Sequence, residues 1–270
     1  MATTQFLTPE IPDSVRRLID NGLDEIEREN DVRILFAVES GSRAWGFPSP
    51  DSDFDVRFVY VHKPEWYLSI DQRRDVIEIP IDGDLDIGGW DLKKALQLLV
   101  KPNPVLLEWL RSPIVYRADT DAMGKIAALG EKAGHLRPST HHYLSLATSQ
   151  HSRFIAGRDA VPLKKYFYAL RPALALAWMR ANPASPVPMS LAELLAGVRL
   201  PSEVGAFVED LLARKVRTRE LGAGPRIPAL DDWIEGEIRV AEASIGDLKP
   251  ADQSILAPAN DLFRQLVASA

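Results

Sequence analysis

From residue 10 to residue 30 the apolar positions Val15, Leu18, Ile19, Leu23 and Ile26 recur near helical spacing, and Asp13 or Ser14 stands where an N-cap would. This predicts an amphipathic helix whose apolar face packs on a sheet. The pattern then changes. Ile34, Leu35, Phe36, Ala37 and Val38 form an unbroken apolar run, as in a buried strand, and the run stops at Gly41-Ser42, a turn that lets backbone approach another group closely. After the loop PSPDSD, residues 53–61 read as a second strand. Side chains on a strand alternate between faces, so Asp53 and Asp55 share one face while Phe54, Val56, Phe58 and Tyr60 take the other. Residues 75–81 and 84–90 are two further strand-like runs joined by Asp82-Gly83, a strong hairpin signal, and Asp91 reads as the N-cap of the helix that follows.

Past Lys101-Pro-Asn-Pro the pattern turns nearly all helical. Residues 105–110, 118–133, 139–157, 163–181, 190–196, 202–216, 229–244 and 253–268 each carry helical period or capping signals. The Pro-rich stretch at 181–190 and the stretch 222–228 are inter-helix connections, too short for disordered linkers. No internal repeat is visible. The expected fold is α+β: a small mixed β-sheet flanked by helices over residues 1–117, followed by an α-helical domain over 118–270 that would bind substrate and nucleotide.

Composition narrows the chemistry. A chain of 270 residues with 46% hydrophobic residues can bury a sizeable core. With no cysteine, disulfides, thiolate catalysis and zinc–thiolate sites are excluded. No apolar stretch is long enough to span a bilayer, and the N-terminus has neither the basic start nor the apolar run of a signal peptide, so the expected location is the cytoplasm. A net charge of −6 disfavours coating nucleic acid by bulk electrostatics but leaves room for a local basic groove. Lys164 and Lys165 with Arg158 and Arg171 form one basic cluster; Arg214, Lys215, Arg217 and Arg219 read as a solvated helix end. His141, His142 and His151 lack metal spacing on one helical face, and Trp45, Trp66, Trp90 and Trp109 read as core.

The candidate chemistry gathers between the first two strands. Two carboxylates on one strand face, about 5 to 7 Å apart, repel unless one is protonated or a cation lies between them. Hard oxygen donors with no Cys or His nearby suit Mg²⁺, which uses one or two carboxylates plus waters and substrate phosphates. The Gly41-Ser42 turn, followed by a short helix from Arg43, would offer backbone N–H groups to those phosphates. Taken singly, D-x-D is also ordinary turn chemistry and Gly-Ser an ordinary turn; together, between two strands, they favour a site. Asp86 lies between Leu85 and Ile87, the pattern expected of an acid facing Asp53 and Asp55 from a neighbouring strand; a register slip of two would substitute Asp84. Arg43 either clamps phosphate or anchors the loop through Asp51 or Asp53.

Gly41-Ser42, ten residues, then Asp53-Phe54-Asp55 resembles the signature of the DNA polymerase β-like nucleotidyltransferase superfamily. The longer string GSRAWGFPSPDSDFDVRF is similar to the bacterial and phage nucleotidyltransferases associated with RNA repair operons, with further matches at GWDLKKALQLL, NPVLLEWLRSPIVY and LKKYFYALRPALALAW. The resemblance covers roughly the first two thirds of the chain. It implies a metal-dependent transfer of a nucleoside monophosphate from an NTP to a hydroxyl acceptor, with release of pyrophosphate. Asp53, Asp55 and Asp86 would be catalytic and would hold two Mg²⁺ ions, or Mn²⁺, about 3.5 to 4 Å apart. Gly41, Ser42 and Arg43 would bind the NTP phosphates. Lys164, Tyr168 and Arg171, spaced four and three apart on one helix, form a stripe that would face the triphosphate and base, or else plain amphipathic surface. An RNA 3′ end is the expected acceptor; a protein or small-molecule hydroxyl, and a nucleotide-binding module without catalysis, are the alternatives. The sequence leaves the oligomeric state open.

Overall fold

The structure is a computed structural model describing residues 10–81, 83–101, 103–217, 221–250 and 253–270. The chain falls into two compact units. One holds 10–44, 53–134 and 253–270 and contains the main sheet; the other holds Trp45–Ser52 and His135–Pro250 and is mostly helical.

The sheet unit begins with α1 (Asp13–Asn30), β1 (Val32–Glu39), the single-turn α2 (Gly41–Ala44) and β2 (Phe54–His62). It continues through α3 (Pro64–Tyr67), β3 (Val76–Glu78), β4 (Leu85–Asp91), α4 (Leu92–Val100), α5 (Pro104–Trp109), β5 (Val115–Ala118) and α6 (Thr120–Lys132). The five strands lie in the order β3-β4-β2-β1-β5. Among the described strands β2 and β4 pair in parallel and the other neighbours antiparallel, so the sheet is mixed, as expected.

Alternation along β2 sets the layers. Phe54, Val56, Phe58 and Tyr60 pack with Ile19, Leu23 and Ile26 of α1, while Val59 and Val61 face Leu92, Leu96 and Leu99 of α4 with helices from both ends of the unit. Gly89 is required by this packing, since a Cβ there would stand 2.3 Å from the Phe58 ring.

Two details of α1 differ from expectation. Its N-cap position is Pro12, which makes no side-chain cap bond, because Asp13 and Ser14 already lie inside the first turn and the Pro12 carbonyl accepts from Arg16 N–H at 2.9 Å. Leu18 is 57% exposed, since the stripe that meets the sheet is the narrower one of Ile19, Leu23 and Ile26. The β3–β4 hairpin forms as expected, and Gly83 has φ +57, although Asp82 lies outside the described residues. Strand β5 had no signal in the sequence pattern.

The helical unit holds α7 (Leu136–Phe154), β6 (Ala160–Pro162), α8 (Leu163–Ala181), α9 (Leu191–Gly197), α10 (Ser202–Arg217), β7 (Ala223–Pro225) and α11 (Pro228–Ser244). Helix α8 is its core, buried from Tyr166 to Ala177 on nearly every face except at Tyr168. The loop Trp45–Ser52 belongs to this unit: Phe47 stacks on Phe167 at 4.8 Å and the Trp45 carbonyl accepts from Leu191 N–H. The last helix, α12 (Leu256–Ala268), packs with α4 and α6 in the sheet unit. Among the described residues no helix is long and apolar enough to cross a membrane.

Candidate active site

The candidate residues of the sheet unit gather where β1 ends, α2 turns and β2 and β4 begin. After Glu39 the chain must reverse, and it does so through Gly41 at φ +61, a conformation that side chains disfavour. Space makes the same demand. A Cβ on Gly41 would lie 2.0 Å from Oδ2 of Asp55, so the Asp55 carboxylate rests directly against the Gly41 backbone. Ser40 N–H donates to the Asp55 carbonyl at 2.8 Å, which ties the turn to the start of β2.

The parallel register places Asp86 level with Asp55, and Asp53 immediately precedes the strand in an exposed position. Asp84 lies before β4 and engages through its backbone, its carbonyl accepting from Phe54 N–H at 2.7 Å. Asp91 caps α4, accepting from Lys93 N–H at 2.7 Å, as expected of it. The like-charge argument calls for a cation among these acids, and the chain supplies one that sequence reasoning missed. Arg57 donates to Asp86 Oδ2 at 2.6 Å, stands 3.5 Å from Asp55 Oδ1, and also bonds the Asp86 carbonyl at 2.9 Å. It is two residues after Asp55 on the same strand, so alternation alone could have flagged it. The Asp55 carboxyl is pushed above its ordinary range, first by burial, against the pull of Arg57 and with the repulsion of Asp86 and Asp53.

Arg43 anchors the loop through Asp53, the second of its two expected roles, but by the backbone and not the carboxylate: its Nε donates to the Asp53 carbonyl at 3.1 Å and its guanidinium lies 3.8 Å from the Phe54 ring centroid. Behind Asp55 sits a second missed residue. Glu39 is 0% exposed, its Oε1 accepts Asp55 N–H at 2.9 Å, and its Oε2 accepts the Tyr116 hydroxyl. Burial is the main cause that raises its carboxyl to about 7, with the Tyr116 and Asp55 hydrogen bonds opposing. A Glu ending an apolar strand ordinarily reaches solvent, so the sequence carried no signal for it.

The oxygen-only donor set suits a hard cation, and Mg²⁺ needs just one or two carboxylates from protein. Asp53 and Asp55 are two carboxylates of that kind at one turn, where the missing side chain of Gly41 leaves the room that the Asp55 carboxylate occupies. Among the described residues no group of three or more His, Cys, Asp or Glu side chains forms a ready metal cluster, and Asp86 is engaged by Arg57.

In the helical unit the expected stripe divides. Lys164 is exposed, Tyr168 is half-buried against Trp45 and under the Lys165 ammonium, and Arg171 is 4% exposed, its guanidinium 4.7 Å from the Trp45 ring and bonded to the Met189 carbonyl. Arg171 thus braces the 45–52 loop, because α8 is buried on nearly all sides at this level. Lys215, read as part of a solvated helix end, is 3% exposed. Its ammonium is 3.5 Å from Ser49 Oγ, and burial together with neighbouring Lys164 lowers its pKa to about 8. Arg219 of that cluster lies outside the described residues.

The chain is 44% identical over 253 residues, 93% of its length and 96% of the relative's, to the "Uncharacterized protein YcgL" of Bacillus subtilis (strain 168). It is also similar to a solved nucleotidyltransferase-like protein from Exiguobacterium sibiricum 255-15, at 11% identity and a TM-score of 0.30 over 95% of this chain and 80% of that one. Residues 15–265 match the family described as RNA repair pathway DNA polymerase beta, which takes in both the three aspartates and most of the helical unit. The chain belongs to the RNA repair pathway DNA polymerase beta family.

Proposed function

We propose that the protein is a metal-dependent nucleotidyltransferase that moves an NMP from an NTP to a hydroxyl acceptor and releases pyrophosphate. The observation that carries this reading is the parallel β2–β4 register, which sets Asp86 level with Asp55 while Gly41 lies against the Asp55 carboxylate. Asp53 and Asp55 would hold Mg²⁺, which would supply charge neutralisation at the transferring phosphates and activation of the acceptor hydroxyl. Asp86, oriented by Arg57, takes the proton of that hydroxyl. The Gly41 and Ser42 backbone receives the β- and γ-phosphates through its N–H groups. Arg43 keeps the Asp53 end of the loop in place through its bond to the Asp53 carbonyl. Lys164, with its exposed ammonium, and Tyr168 bind nucleotide, and Arg171 supports them by holding Trp45.

The acceptor in this reading is an RNA 3′ end, following the family. The net charge of −6 favours a second reading, in which the hydroxyl belongs to a protein or a small molecule. Labelled NTPs, Mg²⁺ and separate pools of RNA, protein and small hydroxyl compounds distinguish them. Label entering RNA with the wild type, and not with the Asp53→Ala/Asp55→Ala variant, supports the first reading. Label on protein or a small molecule supports the second. Nucleotide binding with no transfer to any pool overturns both.

A further inference from the structure

The β1–β2 ladder ends at the Glu39–Val56 pair, and the next N–H along β2, that of Asp55, is taken by a side chain in place of a strand carbonyl. That side chain is Glu39, and it is tied at every polar atom. Its Oε1 accepts from Asp55, its Oε2 accepts from Tyr116, its N–H donates to the Ile114 carbonyl at 2.9 Å, and its own carbonyl accepts from Ser112 Oγ at 2.6 Å. A carboxylate excluded from water is a costly choice where a Met or Leu of similar volume would pack, so its hydrogen bonds must serve something apolar packing would not.

What they serve is the entry of β2. Asp55 is held by its N–H to Glu39, by its carbonyl to Ser40, and by the contact of Oδ2 with the Gly41 backbone. Removing the acceptor from Glu39 leaves a buried N–H unpaired one bond from the Asp55 Cα, and the strand relieves this by pulling away at that residue. We infer that Glu39, oriented by Tyr116 and Ser112, is a positioning residue that fixes the Asp55 carboxylate in the orientation needed to bind the divalent cation. This rests on the reading of Asp55 as a metal ligand. Groups behind a metal ligand commonly change metal affinity by about ten- to a hundredfold when removed.

The test uses the full chain and two near-isosteric variants. Glu39→Met removes the acceptor. Glu39→Gln keeps an amide oxygen for Asp55 N–H and an NH₂ that can donate to the Tyr116 oxygen. Mn²⁺ affinity is read by electron paramagnetic resonance or calorimetry, alongside kcat, KM for NTP and melting temperature. The expected result is that Glu39→Met binds Mn²⁺ at least about tenfold more weakly and loses a similar factor in kcat, with KM for NTP within about twofold. Glu39→Gln recovers most of both. Wild-type Mn²⁺ affinity in a folded Glu39→Met variant overturns the inference, as does a Glu39→Gln variant impaired as severely as Glu39→Met. If Glu39→Met does not fold, Tyr116→Phe decides: a severalfold loss of Mn²⁺ affinity supports the role and an unchanged affinity overturns it. A wild-type chain that binds no Mn²⁺ at millimolar concentration overturns the metal reading beneath it, a result separable from any behaviour of the variants.

Discussion

At Gly41 two independent demands meet, a left-handed backbone at φ +61 and a Cβ position 2.0 Å from Asp55 Oδ2. An alanine there pays strain of about 1 to 2 kcal/mol in the backbone and must also push the Asp55 carboxylate aside. Gly41→Ala is therefore expected to lower the melting temperature by only a few degrees while cutting nucleotidyl transfer by about a hundredfold or more, a disproportion visible by scanning calorimetry beside a transfer assay. Arg57 leads to a prediction of a different kind. It stands between Asp55 and Asp86, and taking away its charge leaves two half-buried carboxylates facing each other. Arg57→Gln should destabilise the protein by about 1 to 2 kcal/mol in EDTA. Millimolar Mg²⁺ should restore more stability to the variant than to the wild type, because the ion replaces a charge the variant lacks. Equal Mg²⁺ stabilisation of both proteins would show that no cation enters between these carboxylates.

Strand β2 carries the candidate site at its start and His62 at its end. The His62 ring is buried and stacks on Trp66 at 4.0 Å and 7°. Burial, helped by the Arg73 guanidinium and opposed by Asp31, lowers its pKa from 6.5 to about 4. An unfolded chain protonates this imidazole near 6.5 while the folded one keeps it neutral down to about 4, so the unfolded state binds more protons across that window. Stability from this residue is complete above pH 6.5, falls as pH drops toward 4, and changes no further below. Urea unfolding of the wild type and of His62→Gln from pH 7 to pH 4 should differ in slope by a total of about 2 to 3 kcal/mol, the wild type losing more. The same strand explains what the sequence could and could not disclose. Alternation made its two faces readable, and the apolar neighbours of Asp86 gave its facing, but a slip of two residues to Asp84 preserves that facing, so only the strand pairing fixes the register with Asp55. Glu39 and Lys215 were unreadable because charged residues at strand and helix ends nearly always reach water, and only tertiary packing closes over them. Arg171 was misplaced on its helix because α8 is buried on almost all sides, so its hydrophobic period has no clean polar face to mark. The cap of α1 failed for a local reason: two candidate residues followed Pro12, and the fixed φ of proline put the helix boundary there.

For the whole chain, net charge bears on the acceptor. A protein that tracks RNA by its phosphates concentrates cations, yet here 38 acidic residues outnumber 32 Lys and Arg. An RNA acceptor therefore has to be recognised at its end, through the terminal hydroxyl and a phosphate or two, and not along a groove. Salt dependence separates these modes. Binding of single-stranded nucleic acid weakens with salt at a log–log slope of about −0.7 per neutralised phosphate. Two contacts predict that KM for an RNA oligonucleotide rises about sevenfold between 50 and 200 mM salt, whereas six contacts predict a rise of several hundredfold. The expected result is the small one, together with a KM that barely changes when the oligonucleotide is lengthened from about 6 to about 20 nucleotides. A steep salt dependence that grows with RNA length would mean that local basic residues such as Lys164, Lys165 and Arg158 line a phosphate track despite the acidic whole. A transfer rate indifferent to both salt and RNA length would point away from polyanion recognition and toward a small hydroxyl compound as the acceptor.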